Sequence, residues 1–95
     1  MDLRDLINAE GATVVDVREP YEYAMGHVEG SVNIPLGEVP GRLEEFRAMS
    51  KPLVLVCASG NRSGQATYFL QMNGLEEVYN GGSWATVRFL KTEEV

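Results

Sequence analysis

Residues 52–65 read PLVLVCASGNRSGQ, and the succession of residue types in this stretch indicates the fold. The apolar run over residues 52–57 is typical of a strand that is covered on both faces, as in a parallel sheet. A loop of small residues follows Cys57, and a helix is predicted over Ser63–Asn73, with Gly74 as its stop signal. A buried strand, a tight loop and a helix in succession predict one unit of an α/β fold.

The rest of the chain alternates between short strands and short helices in the same way. Glycine and proline recur at short intervals, which favours compact elements. This alternation predicts an α/β architecture with a small, mainly parallel sheet flanked by helices. Ligands of such sheets bind beyond the carboxyl ends of the strands, and two such ends lie just after Val17 and Val56. The further predicted elements are strands over residues 13–17, 31–34 and 77–79, a short helix capped by Asp2, a helical turn from Pro20 to Gly26, and helices over residues 38–49 and 83–91, the last one entered through a turn at Gly81-Gly82.

Length and composition favour one small globular domain. The chain has 95 residues, of which 44% are hydrophobic and 23% are charged. This is ordinary globular composition, so we expect a single domain over residues 1–95. The net charge of −6 gives no electrostatic footprint for nucleic acid, so no nucleic-acid partner is expected. The sequence has no evident surplus of apolar residues that could form a subunit interface, so a monomer is the expected state.

The counts of cysteine and histidine restrict the chemistry of the protein. The single cysteine excludes an internal disulfide. One cysteine and one histidine are also too few for a structural zinc site, which needs about four ligands. A reducing, cytoplasmic location is therefore expected. The longest apolar run is far shorter than the roughly 18 residues of a membrane span, so no membrane association is expected.

The residues around Cys57 combine features that activate a thiol. Ala58, Ser59 and Gly60 are small enough for the backbone to curl around the sulfur, where its N–H groups and the start of the next helix favour an anion. Arg62 adds a positive charge nearby. These features are expected to lower the pKa of the Cys57 thiol, and the thiolate is the nucleophilic form. The alternative is a buried, inert cysteine that ends a core strand; the glycine-bearing loop and Arg62 favour the reactive interpretation.

Four segments of the chain carry a resemblance to a known family. They are Val14–Glu19 (VVDVRE), Gly26–Pro35 (GHVEGSVNIP), Cys57–Ser63 (CASGNRS) and Asn80–Trp84 (NGGSW). In this order they resemble the Asp-x-Arg motif, the Gly-His-Ile-x-Gly segment, the active loop and the Gly-Gly-x-x-x-Trp stretch of the single-domain rhodaneses, the thiosulfate sulfurtransferase family. The resemblance implies a rhodanese-like three-layer domain.

The resemblance also implies an enzymatic sulfur relay that needs no metal and no organic cofactor. In that family the thiolate of the loop cysteine attacks the outer sulfur of thiosulfate and releases sulfite. The cysteine then holds a persulfide, from which cyanide or a thiol removes the sulfur. In this chain Cys57 would be the catalytic residue. The substrate-binding cradle would consist of Ala58, Ser59, Gly60, Asn61, Arg62 and Ser63.

The natural sulfur donor and acceptor stay open at this stage. Thiosulfate and a persulfide, either on a protein or on a small molecule, are both candidate donors, because the loop carries no cation besides Arg62. Cyanide and a thiol are the candidate acceptors, and a sulfur-carrier protein is a further candidate partner.

Several other residues are interpreted as structural or have two interpretations. Arg62 either recognises the sulfonate end of thiosulfate or pairs with a carboxylate on the loop after the first strand. Asp16 and Arg18 are expected to pair with one another or with a neighbour such as Glu22, without a catalytic role. His27 is expected to lie away from the active loop. The aromatic residues expected to serve packing are Tyr21, Tyr23 and Trp84.

Two other functions are alternatives to sulfur transfer. The dual-specificity cell-cycle phosphatases share the fold and use a loop cysteine, but their loop between cysteine and arginine is one residue longer. Four residues separate Cys57 from Arg62 here, and the shorter loop suits a single sulfur atom better than a phosphate. The second alternative is a non-catalytic or regulatory rhodanese-like binding module, against which the intact cysteine and loop argue.

Overall fold

The strands of the chain form one parallel sheet in the computed structural model, which describes residues 2–91. The strand order is β2-β1-β3-β4, and each described pair of neighbours is parallel. The predicted α/β architecture is therefore confirmed, and the sheet is parallel throughout the described residues. The strands are β1 (Thr13–Asp16), β2 (Val32–Asn33), β3 (Leu53–Cys57) and β4 (Val78–Ser83).

Helices connect the strands and lie on both sides of the sheet. The first helix is capped as expected, since Asp2 Oδ1 accepts a hydrogen bond of 3.0 Å from the backbone N–H of Asp5. No helix between residues 2 and 91 has the length and apolar character that crossing a membrane requires. The α-helices are α1 (Leu3–Ile7), α2 (Pro20–Met25), α3 (Leu43–Ala48), α4 (Asn61–Met72) and α5 (Trp84–Leu90), and a 3-10 helix extends over Leu36–Arg42.

The core is divided between the two faces of β3, all of whose residues are buried. Successive side chains of a strand point to opposite faces. Val54 and Val56 therefore pack in a cluster with buried residues of α1 and α5. Leu53, Leu55 and Cys57 pack in the other cluster, with buried residues of α3 and α4. The continuous apolar run thus forms a central strand between two helical layers. Cys57, at its end, lies on the side of the sheet that α4 covers.

The prediction of an α-helix over residues 38–49 is wrong for the first half of this segment. Residues Leu36–Arg42 form a 3-10 helix instead, and the α-helix begins only at Leu43. Pro40 lies inside the 3-10 segment. Its missing N–H and its ring are incompatible with the middle of an α-helix, which explains the interruption.

The last strand is longer than predicted, and the turn predicted at Gly81-Gly82 is wrong. Both glycines belong to β4, whose pairing with β3 shifts register between Leu55 and Val56. A β-carbon on Gly81 would lie 2.6 Å from Cγ1 of Val54, so only glycine allows this close approach. The extension carries β4 to the carboxyl end of β3, where Ser83 pairs with Cys57 beside the loop that follows.

Candidate active site

Cys57 is the last residue of β3, at the carboxyl edge of the sheet. Its side chain faces α4, and only 1% of the residue is exposed. The chain turns immediately after it, because Gly60 adopts the left-handed conformation (φ 102°) and α4 begins at the next residue, Asn61. This start is two residues earlier than the sequence predicted. The first turn of the helix thereby folds back over the sulfur atom.

The sulfur atom of Cys57 lies among hydrogen-bond donors of this loop. The backbone N–H of Gly60 donates to Sγ over 3.0 Å and that of Ser63 over 3.3 Å. The hydroxyl of Ser63 lies 3.4 Å from Sγ. The expectation that loop N–H groups point at the sulfur is confirmed for these two residues. Ala58, Ser59 and Asn61 are exposed, and their role in binding a substrate stays a prediction. Of these three, the Ser59 backbone contributes to the hydrogen bonding of the sulfur.

The loop lowers the pKa of the Cys57 thiol below its ordinary value. Burial works in the opposite direction, because it disfavours the charged thiolate. The hydrogen bonds from the side chain and backbone of Ser63 and from the backbone of Gly60 and Ser59 outweigh that effect. The site therefore raises the thiolate fraction of Cys57 at neutral pH above that of an ordinary cysteine.

Arg62 is held by a carboxylate from another part of the fold. Its Nη1 and Nη2 atoms donate to the two carboxylate oxygens of Glu22 over 2.7 Å and 3.1 Å. The carboxylate belongs to α2 and not to the loop after β1, where it was expected. The geometry agrees with the ion-pair interpretation of Arg62. The pair also keeps a positive charge close enough to Cys57 for the two charges to interact.

This ion pair gives the first testable prediction. Arg62 lowers the pKa of Glu22 from 4.5 to about 2, so the stabilisation is present above about pH 4.5 and is lost as the pH falls through about 2. Both side chains are partly exposed, so we expect Glu22→Gln to cost only about 1 kcal/mol at pH 7. Urea unfolding of both proteins at several pH values measures this difference, which should shrink towards pH 2.

The matched control is Glu44→Gln. Glu44 pairs with Arg47 over 3.2 Å, but its side chain is 89% exposed, and an exposed pair of this kind contributes little. A Glu22→Gln difference that stays constant from pH 7 to pH 2.5 contradicts the assignment of this stabilisation to the ionised carboxylate.

Asn80 is a residue of this site whose role the sequence did not reveal. Its Oδ1 atom accepts hydrogen bonds from Ser63 Oγ over 2.7 Å and from the backbone N–H of Gly82 over 3.0 Å. Its Nδ2 atom donates to the carbonyl oxygen of Gly60 over 3.1 Å. The available signal is a polar side chain that directly follows the strand predicted over residues 77–79 and directly precedes two glycines.

The pattern of the rhodanese-like domain family matches residues 1–85 of the chain. The chain belongs to this family. The matched residues include β1, the loop after β3 and the whole of β4, so the match covers the cysteine site together with the fold that positions it.

Three relatives place this rhodanese-like domain more closely. The uncharacterized protein YqhL of Bacillus subtilis is 45% identical over 69 residues, which are 73% of this chain and 54% of YqhL. The thiosulfate sulfurtransferase GlpE of Pseudomonas fluorescens is 34% identical over 74 residues, 78% of this chain and 67% of GlpE. A solved rhodanese with anions from E. coli is 35% identical, with a TM-score of 0.71 over 78% of this chain and 88% of its own. The chain thus spans about half the length of YqhL.

Asp16 and Arg18 of this rhodanese-like domain pair with one another, as expected. Arg18 Nη2 lies 2.8 Å from Asp16 Oδ2, and Nε donates to Oδ1 over 2.9 Å. Arg18 also donates to the carbonyl oxygen of Gly26 and stacks on Trp84, at 4.6 Å from the ring centroid. Trp84 therefore serves packing. This buried network fixes the start of the loop after β1.

His27 and the tyrosines lie around α2, outside the hydrogen bonds of the sulfur. The His27 ring stacks on Tyr23 with 3.8 Å between centroids, and Nδ1 donates to the Tyr23 carbonyl oxygen over 2.8 Å. The packing prediction is confirmed for Tyr23. It is wrong for Tyr21, which lies on the same short helix but is 69% exposed.

Proposed function

We propose that this protein is a sulfurtransferase that carries a sulfane sulfur as a persulfide on Cys57. The observation that carries the proposal is the position of Sγ at the end of β3, with the N–H groups of Gly60 and Ser63 at 3.0 Å and 3.3 Å. Such donors stabilise an anionic sulfur before and after it takes up a second sulfur atom. The family membership and the relatives named as thiosulfate sulfurtransferases support the same reaction class.

The first half-reaction loads the cysteine. The Cys57 thiolate attacks the outer sulfur of thiosulfate, or the outer sulfur of a persulfide donor, and a new S–S bond forms. The S–S bond of the donor breaks, and its electron pair leaves with sulfite or with the donor thiolate. The backbone donors of the loop stabilise the persulfide anion that results. No external oxidant or reductant is consumed.

The second half-reaction removes the outer sulfur atom from the Cys57 persulfide. A thiol or cyanide acceptor attacks the outer sulfur of the persulfide, and the S–S bond breaks with its electron pair on Cys57. The thiolate is restored, and a new persulfide or thiocyanate leaves. A sulfur-carrier protein is a further acceptor of the same chemistry. One cysteine suffices for this cycle, because the intermediate is a persulfide and not a disulfide within the chain.

Intact-protein mass after brief exposure to thiosulfate tests the proposal. We expect the reduced protein to gain one sulfur atom and to lose it on addition of cyanide, with release of thiocyanate. Protein whose cysteine has first been alkylated is the control and should gain none. If neither thiosulfate nor a small persulfide loads the reduced protein, the proposal fails, and the non-catalytic or regulatory binding module takes its place.

A further inference from the structure

Asn80 contacts the two residues that direct donors at the sulfur. Its Oδ1 accepts the Ser63 hydroxyl over 2.7 Å, and its Nδ2 donates to the Gly60 carbonyl oxygen over 3.1 Å. The N–H groups of these two residues donate to Sγ of Cys57. One side chain on β4 therefore bridges Gly60, the residue before α4, and Ser63 in the first turn of α4.

The orientation of Asn80 is set by its own strand. Oδ1 accepts the N–H of Gly82 over 3.0 Å, which ties the amide to the backbone two residues on. The loop comes close to this strand, because a β-carbon on Gly60 would lie 3.2 Å from Cα of Gly82 and one on Gly64 would lie 3.1 Å from Asn80 Nδ2. The strand thus provides a fixed support for the loop.

The Ser63 hydroxyl has one hydrogen and two acceptors within reach. Asn80 Oδ1 lies 2.7 Å from it and Sγ of Cys57 lies 3.4 Å from it. With a neutral thiol the shorter bond to Asn80 holds the hydrogen. A thiolate is the stronger acceptor and draws the hydroxyl towards itself. Oδ1 still keeps the N–H of Gly82 when the hydroxyl turns away, so this rotation leaves no acceptor unpaired.

We propose that Asn80 is the positioning residue of the sulfur site, which holds Gly60 and Ser63 so that their donors converge on Cys57. The inference rests on the proposed function for its purpose, since a positioned donor set matters when Cys57 reacts. Asn80 is neutral and does not touch the reacting atoms. Its side chain acts through the loop, by keeping the N–H groups and the hydroxyl at hydrogen-bond distance from Sγ.

The charged groups near the sulfur come from other elements than β4. Arg62 on α4 interacts with the charge of Cys57, and Arg62 in turn pairs with Glu22 and interacts with Tyr21, both on α2. Replacing Asn80 by alanine leaves these groups in place and changes only hydrogen bonds. A change in the titration of Cys57 in that variant is therefore a change in the donor geometry.

The test is the pH dependence of Cys57 alkylation by iodoacetamide in the full chain. We expect Asn80→Ala to raise the apparent pKa of the thiol by about 0.5 to 1 unit, because the loop donors that lower it lose their support. This loss outweighs the release of the Ser63 hydroxyl, which no longer has Asn80 as a competing acceptor. At pH 7 the alkylation rate should fall about twofold to threefold, since the remaining thiolate is more nucleophilic and partly offsets its lower fraction. Asn80 is exposed, so the variant is expected to fold. The matched control is the neighbouring Tyr79→Phe, which should leave the profile unchanged.

Two more variants make the test specific. Asn80→Asp keeps an acceptor for Ser63 but turns a carboxylate oxygen towards the Gly60 carbonyl, and it should raise the thiol pKa at least as much as alanine. In a Ser63→Ala background, Asn80→Ala should shift the thiol pKa less than in the wild type, because one of its two routes to the sulfur is gone.

An unchanged thiol pKa in folded Asn80→Ala overturns the inference and leaves Asn80 a purely structural residue. A rise in Asn80→Asp alone does not rescue it, because the added negative charge raises the thiol pKa by itself. Alkylation requires no sulfur transfer, so this outcome is distinct from a failure of the proposed function. If the wild type takes up no sulfur from any donor and Asn80→Ala still raises the thiol pKa, the proposed sulfur transfer is contradicted. The positioning role of Asn80 is then still supported.

Discussion

Replacing Cys57 with serine is expected to lower the rate of sulfur transfer from thiosulfate to cyanide by more than about a thousandfold. Serine fits the same place at the end of β3 and keeps an acceptor for the N–H groups of Gly60 and Ser63. Its hydroxyl is far less acidic than a thiol and forms no persulfide, so the relay has no carrier. Thiocyanate formation under saturating thiosulfate and cyanide measures the effect.

The effect of Cys57→Ser can be assigned to this residue because the sequence contains one cysteine. Residual activity in Cys57→Ser cannot come from a second thiol of the chain. The exposed Tyr79→Phe serves as the control and should retain wild-type turnover. Thermal unfolding shows whether Cys57→Ser is folded. Turnover by folded Cys57→Ser within tenfold of the wild type contradicts a persulfide mechanism on this residue.

The largest effect on stability is expected for Asp16→Ala, at about 3 to 5 kcal/mol. Asp16 is fully buried and Arg18 is 4% exposed, so the substitution leaves a guanidinium in the core without its counter-charge. The four hydrogen bonds that Asp16 accepts from Arg18, one of them from its backbone, are lost together. A domain of this size has about 5 to 10 kcal/mol in total, so the variant should be close to unfolding at 25 °C. The free energy of unfolding in urea measures the loss.

Asp16→Asn and the double variant Asp16→Ala/Arg18→Met keep this prediction testable if Asp16→Ala does not fold. The asparagine retains the shape of the side chain and should cost less than alanine. The double variant removes both charges. Its loss in the free energy of unfolding should therefore be smaller than the losses of Asp16→Ala and Arg18→Met added together. Glu44→Ala, which breaks an exposed pair, is the control and should change stability by less than about 0.5 kcal/mol. Additive effects of the two buried substitutions would show that the pair is not coupled.

Most of the elements could be predicted from the sequence because their signals are local. The apolar run before Cys57 is buried on both faces in the structure and forms β3. The cap at Asp2 and the proline at the first position of α2 are found where the sequence placed them. Such signals act within about one helical turn or one strand, so a single sequence contains them in full.

One of the two errors has a cause that is visible in the sequence, and the other depends on packing. The spacing of Val39, Leu43 and Phe46 suits a helix, but Pro40 converts its first half into a 3-10 helix. The sequence predicts a turn at the two glycines of β4, because paired glycines commonly mark turns. In the structure they let β4 approach β3, where Gly81 lies against Val54. Whether a glycine pair forms a turn or a close contact depends on the neighbouring strand.

The sequence by itself determined the class of the fold, the order of its elements and the place of Cys57 at the carboxyl end of a buried strand. Each of these follows from hydrophobic pattern and from residues that are neighbours in the chain. Only the tertiary structure decided which side chains support the cysteine. Glu22 reaches Arg62 across 40 residues, and Asn80 reaches Ser63 across 17. Contacts of this kind exist only once the parallel strands are in register, because the sheet sets the distance between segments that the chain keeps far apart.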